Sequence, residues 1–279
     1  MRWLPGIALA FFMAATGAFA GPSRVVTMNL CVDQMAMMLA APDQLISISF
    51  VARDPRASAM AEEAQAYPVN HGLAEEIYLL KPDLVLAGAS SAPATMDMLR
   101  RLGVPVAEFG PAFSLKDVRT RIVEVGEALG RQEAARRLLA DFDQQLEFLR
   151  ADAPDNRPRA ALYAANGYTA GRQTLAGQIL EAAGFRNIAD ELGYAHSGQL
   201  PLELLVLSEP DLLVGTTAYP RNSRSEEILK HPLVRMLAGR SGAGEIRNAD
   251  WICPTPHVLR AVETLAAERR AFMEREARQ

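Results

Sequence analysis

The chain has 279 residues, with 29 Lys and Arg against 33 Asp and Glu and a formal net charge of −4. Mild acidity without any Lys/Arg run excludes a nucleic-acid partner, which calls for a clustered basic surface. Hydrophobic residues make up 49% of the chain, enough for a sizeable core, and the length fits two ordinary domains or one two-lobed unit.

At the N-terminus Arg2 supplies a positive n-region, Leu4 to Ala15 is almost wholly apolar, and Ala18 and Ala20 make a small-x-small site. Together these read as a secretory signal peptide, cleaved after Ala20, that sends the rest of the chain to the periplasm. The apolar stretch falls short of the roughly 20 residues a membrane span needs, and an uncleaved N-terminal anchor is the other reading. No cysteine follows the cleavage site, so no lipid anchor is expected there. The two cysteines, Cys31 and Cys253, stand at opposite ends of the exported part. Export permits one bridge between them. Two free thiols packed as small core hydrophobes are the other reading.

From residue 25 the pattern alternates. Val25 to Met28 reads as a strand, Val32 to Ala41 as a helix stopped by Pro42, and Leu45 to Ser49 as a strand. After a polar stretch come a helix over Leu73 to Leu80, an apolar strand over Leu84 to Ala87, a helix over Thr95 to Leu102 and a strand over Val104 to Phe109. Strands without polar alternation, separated by helices, predict a parallel sheet covered on both faces. Leu115 to Ala151 has helical periodicity with a weak point at Gly130, and Asp152 to Pro158 is a loop before a second lobe. That lobe reads as a strand over Arg159 to Ala165, helices over Thr174 to Ala183 and Leu202 to Leu207, and a strand over Leu212 to Gly215. A strand within Ile246 to Ile252 and a helix over His257 to Glu274 complete it. The expected division is therefore 1–20 signal peptide, 21–114 first lobe, 115–151 helical segment and 152–279 second lobe.

Residues 75–88 read EEIYLLKPDLVLAG and residues 203–216 read ELLVLSEPDLLVGT. Glu75 aligns with Glu203, Leu79 with Leu207, and Pro82-Asp83-Leu84 with Pro210-Asp211-Leu212, all at one offset of 128 residues. An offset near half the exported chain indicates two like lobes rather than a solenoid. A chance recurrence of a helix, a Pro-Asp joint and a strand is the plainer account, since proline ends a helix cleanly.

The RVVTMNLC opening at 24–31, the two E-x6-P-D-L units and the long helix between lobes resemble the class III substrate-binding proteins of ABC importers. That family binds ferric siderophores, haem and vitamin B12. The resemblance implies an α/β fold of two Rossmann-like lobes joined by a long connecting helix near 131–151, with the ligand between them. Ligands of open α/β sheets sit beyond the carboxyl ends of the strands. The loops there carry the candidate cleft residues: Asn29, Cys31, Asp33, Phe50, Arg53 and Ser90 in the first lobe, and Tyr168, Tyr194, His196, Thr217, Tyr219, Arg221 and Trp251 in the second. The aromatic rings suit a flat macrocycle or catecholate, and Arg53 and Arg221 suit ligand carboxylates. Each has a plainer role as core aromatic, solvated charge or structural histidine.

In the family, a glutamate at the start of this short helix on each lobe docks into arginine pockets of the permease. Glu75 and Glu203 match that position. The resemblance thus implies an inner-membrane ABC permease dimer as partner and a ferric siderophore, corrinoid or haem as ligand, with no covalent cofactor. Two other functions are weighed. A zinc- or manganese-binding protein would need clustered ligands, but His71, His196, His231 and His257 are scattered, so no metal-ion site is expected. An exported enzyme would need a motif such as G-x-S-x-G or H-E-x-x-H, and neither occurs. Gly239 to Gly244 (GRSGAG) reads as a surface turn rather than a phosphate loop.

Overall fold

A computed structural model describes residues 21–89, 91–216, 223–241 and 243–278. The first lobe runs β1 (Val25–Thr27), α1 (Leu30–Leu39), β2 (Leu45–Ser49), β3 (Val69–Asn70), α2 (Ala74–Leu79), β4 (Leu84–Gly88), α3 (Pro93–Arg101) and β5 (Val106–Phe109). Its strands pair in parallel in the order β3-β2-β1-β4-β5. The central strand β1 is buried on both faces, which is why it shows no polar alternation. Successive side chains point to opposite sides. Val25 joins the core under α1, whereas Val26 packs with Ile77 of α2 and with Met96 and Leu99 of α3.

Two helices follow, α4 (Leu115–Ala128) and α5 (Gln132–Ala151). Ser114 caps α4 by accepting the Asp117 N–H at 3.1 Å. Gly130 breaks the pair at φ +67°, a left-handed conformation that a Cβ would disfavour. Leu115, Val118 and Ile122 of α4 and Phe142, Leu146 and Leu149 of α5 belong to one core that continues into both sheets.

The second lobe runs β6 (Arg159–Leu162), β7 (Tyr168–Ala170), α6 (Leu175–Ala182), β8 (Arg186–Asn187), α7 (Ile188–Glu191), β9 (Ser197–Gln199), α8 (Leu202–Leu207), β10 (Leu212–Thr216), α9 (Pro232–Ser241), β11 (Ala243–Ile246) and α10 (Val258–Glu276). A parallel sheet has the order β11-β10-β6-β8, and β7 and β9 form a separate antiparallel ribbon. The two-lobed α/β expectation holds.

Some sequence expectations shift. The strand expected within Ile246 to Ile252 instead ends at Ile246, because its partner β10 pairs with Ala243 through Ile246. Asn248–Asp250 then forms a 3-10 turn with all three residues buried. The GRSGAG stretch is no free turn: α9 ends and β11 begins inside it.

The internal match has a physical basis. In each lobe the helix of the repeat ends on a left-handed residue, Lys81 at φ 49° or Glu209 at φ 44°. The aspartate of the Pro-Asp pair then fastens the neighbouring first strand. Asp83 accepts the Ser23 and Arg24 N–H groups at 2.7 and 2.9 Å, and Asp211 accepts the Arg159 N–H at 2.7 Å. Each strand returns an arginine: Arg24 donates to the Leu80 and Lys81 carbonyls, and Arg159 to those of Ser208 and Glu209. One local arrangement is built twice, once at the foot of each sheet.

Candidate functional site

Several of the candidate residues follow the carboxyl ends of strands in the two lobes. Asn29 follows β1, and its side-chain oxygen accepts the N–H groups of Cys31 and Val32, capping α1. Its Nδ2 donates to Ser91 Oγ at 3.0 Å and so ties the loops after β1 and β4. Phe50 follows β2 and is 52% exposed. Its ring stacks on His71, which follows β3, with centroids 5.2 Å apart and planes 26° apart. Glu76 holds that histidine from two directions, accepting its N–H at 2.7 Å and facing Nδ1 at 3.2 Å. His71 was not among the expected cleft residues. Its only sequence signal is its place three residues before α2, and the two-residue strand it follows has no readable pattern.

In the second lobe the ribbon of β7 and β9 lies past the carboxyl end of β6. Tyr168 is half-buried there, and its hydroxyl lies 3.1 Å from Ser197 Oγ. His196 is exposed beside it. Tyr194 commits its hydroxyl to the Gln199 carbonyl at 3.1 Å. Gly171 is required in this corner, since a Cβ there would meet the Tyr194 carbonyl oxygen at 1.6 Å.

Four expectations change. Asp33 is fully buried and faces no cleft: the Ser49 N–H donates to it at 3.2 Å, and the Ser49 hydroxyl donates to its other oxygen. Burial pushes its carboxyl up to about 6, with the Ser49 hydrogen bonds opposing. Arg53 is no free anion clamp. Its guanidinium donates to the carbonyls of Ala64, Gln65 and Tyr67 and shapes the loop between β2 and β3. Cys31 is covalently committed, because it forms a disulfide with Cys253 with Cα atoms 5.0 Å apart. That bond decides between the two thiol readings, and it links the start of α1 in the first lobe to the segment before α10 in the second. Trp251, two residues before Cys253, packs against the main core, with its indole Nε1 buried. Ser90, Thr217, Tyr219 and Arg221 lie outside the described residues.

The disulfide belongs to a seam between lobes. Arg260 of α10 donates to the Ala59 carbonyl in the first lobe at 3.3 Å. His257 beside it is held down to about 4, chiefly by burial and further by the Arg260 charge. It is therefore neutral at ordinary pH.

Glu75 and Glu203 stand at the second position of α2 and α8, and both are exposed. The two helices have equal length and bury one residue at the same register, Ile77 and Leu205.

A family model described as periplasmic binding protein matches residues 25–243. A cobalamin-binding protein of Halobacterium salinarum is 31% identical over 216 residues, covering 76% of this chain and 58% of the relative. The chain thus spans under two thirds of that relative. A vitamin B12-binding protein of Pectobacterium atrosepticum is 25% identical over 259 residues, covering 89% of this chain and 81% of the relative. Among solved structures, the apo periplasmic haem-binding protein of Roseiflexus sp. RS-1 superposes with a TM-score of 0.72 at 23% identity, covering 90% of this chain and 99% of that one. The periplasmic vitamin B12 binding protein of Vibrio cholerae superposes with a TM-score of 0.64 at 20% identity, over 90% and 98%. Likeness at that identity speaks for the fold.

Proposed function

This chain belongs to the periplasmic binding protein family, and on that premise we propose that it captures a metal chelate between its lobes and delivers it to an inner-membrane ABC permease. The observation that supports this reading is a family match running from 25 to 243 over two parallel sheets that the Cys31–Cys253 bond links. Binding in such a place needs shape and rings rather than a catalytic set. Phe50 with His71 on one side and Tyr168 on the other supply flat apolar surface for a corrinoid, haem or ferric siderophore. The names of the relatives favour a corrinoid first. Residues 1–20 act as a cleaved signal peptide and put the chain in the periplasm.

Glu75 and Glu203 dock into the permease, one on each half of a dimer. Charges set well apart steer and orient an encounter more than they add affinity. Purified exported protein should carry the absorbance bands of its chelate and the matching native mass. A protein that stays colourless and binds none of cyanocobalamin, ferric haem and a ferric hydroxamate would remove the chelate reading. Glu75→Lys with Glu203→Lys should abolish uptake and leave ligand affinity intact. Normal uptake by that double variant would remove the docking assignment.

A further inference from the structure

Among the described residues, Leu207 and Leu79 head the large hydrophobic side chains in exposure, at 78% and 77%. Single exposed leucines are ordinary and need no explanation. These two are not independent. They stand at the same offset of 128 residues that relates Glu75 to Glu203, and each lies four residues after its glutamate. Four residues is one helical turn, so acid and leucine share one face of α2 and one face of α8. Each lobe therefore presents the same two-part element, an exposed carboxylate and one turn away an exposed aliphatic side chain.

The folding of each lobe does not require this. Each helix is held to its lobe by Ile77 or Leu205, both 0% exposed, with Ala74 of α2 and Leu202 and Val206 of α8 packed beside them. The end of each helix is fixed by the left-handed residue and by the arginine from the neighbouring strand. Nothing in those contacts uses the leucine side chain. The aligned neighbours also differ freely: Tyr78 faces Val206 in the alignment, Leu80 faces Ser208, and Lys81 faces Glu209. Glutamate and leucine persist together at the exposed positions.

We propose that Leu79 and Leu207 are the apolar anchors of the permease-docking surface, each entering a hydrophobic socket beside the basic group that receives its glutamate. This rests on the docking role given to Glu75 and Glu203 above. The occupant is a membrane protein of two equivalent subunits, because two copies of one small element on two like lobes fit two copies of one receiving site. The division of labour follows from the forces. Carboxylates act at a distance and are screened by salt, so they govern the rate of encounter. Leucines act only on contact and are insensitive to salt, so they govern how long the complex lasts. Burying one leucine side chain is worth about tenfold or more in an equilibrium constant.

The test uses the full exported chain, fluorescently labelled, binding to right-side-out inner-membrane vesicles from the source cell across a salt series. Wild-type protein should bind saturably and be displaced by unlabelled protein, with affinity falling as salt rises. Leu79→Ser with Leu207→Ser should weaken binding about 100-fold, and each single variant about tenfold, with the same salt dependence and an unchanged melting temperature. Glu75→Gln with Glu203→Gln should weaken binding mainly at low salt and flatten the salt dependence. Binding by the double leucine variant within twofold of wild type overturns the inference. If the glutamate variant is impaired in that same case, the docking face stands without its anchors. If neither double variant is impaired, the docking face falls as well. A change in native mass caused by the leucine substitutions would make these side chains a self-association contact and also overturn the inference.

Discussion

Replacing Cys31 and Cys253 by serine removes a covalent link that closes a very long loop. Their separation is 222 residues. The chain-entropy expression for a loop of that size gives about 5 kcal/mol at 25 °C, and bridges of native proteins deliver typically 2–4 kcal/mol. The bond joins the two lobes at the seam where Arg260 meets Ala59, so its loss is felt as freer lobes as well as a freer unfolded chain. For a chain of this size each kcal/mol moves the melting temperature by roughly 2–4 °C. The double serine variant should therefore melt about 10 °C below wild type when followed by circular dichroism, and wild type in reductant should melt with it. Thiol titration of the exported, denatured protein should find no reactive thiol before reduction and two after. Two thiols before reduction, or a double variant melting within about 2 °C of wild type, would refute the reasoning.

Two buried groups give opposite pH trends. Asp33 titrates near 6 when folded, above its ordinary 3.8, so its contribution is complete at low pH and is lost as pH rises through about 6. Asp33→Asn keeps an acceptor for the Ser49 N–H and should match or exceed wild-type stability at pH 7, measured by urea denaturation. His257 titrates near 4 when folded, below its ordinary 6.5, so stability is lost as pH falls from 6.5 towards 4. His257→Asn should remove that loss. Between pH 4.5 and 6.5 the first variant should then lose stability on acidification and the second gain it, each by about 2 kcal/mol; parallel curves would refute both assignments. Asp83 is pushed up by partial burial but held below the usual carboxylate range by the Ser23 and Arg24 N–H groups. Asp83→Ala should cost about 1–2 kcal/mol, and Asp211→Ala less, because Asp211 accepts a single N–H from the first strand of its lobe. Equal losses would show that the two feet are energetically alike. Phe142 in the core of α5 is 1% exposed, and Phe142→Ala should cost about 3–5 kcal/mol in the same assay.

Long apolar or periodic segments were legible along the chain. The strand at Leu45–Ser49 and the helix at Leu202–Leu207 stand where the pattern puts them, and α4 and α5 break at the expected glycine. Short elements were not legible. β3, β8 and the β7–β9 ribbon have two or three residues each, too few for a period, and exist because a neighbour offers hydrogen bonds. His71 directly follows β3, so no local pattern places it at a sheet end. Asp33 and Arg53 follow β1 and β2, where chain position predicts a cleft, yet their side chains are committed inside the lobe. Their partners, Ser49 and the carbonyls of 64–67, are brought to them by β2 and the loop after it.

The linear order of residues by itself determined the duplicated lobes, the parallel sheets and the helical layer between them, because hydrophobic period and the Pro-Asp joints are local properties. Only the tertiary structure decided which polar side chains are occupied, that two cysteines 222 positions apart share a bond, and that Leu79 and Leu207 are left in the open. Each of these depends on what the remainder of the chain places alongside a side chain.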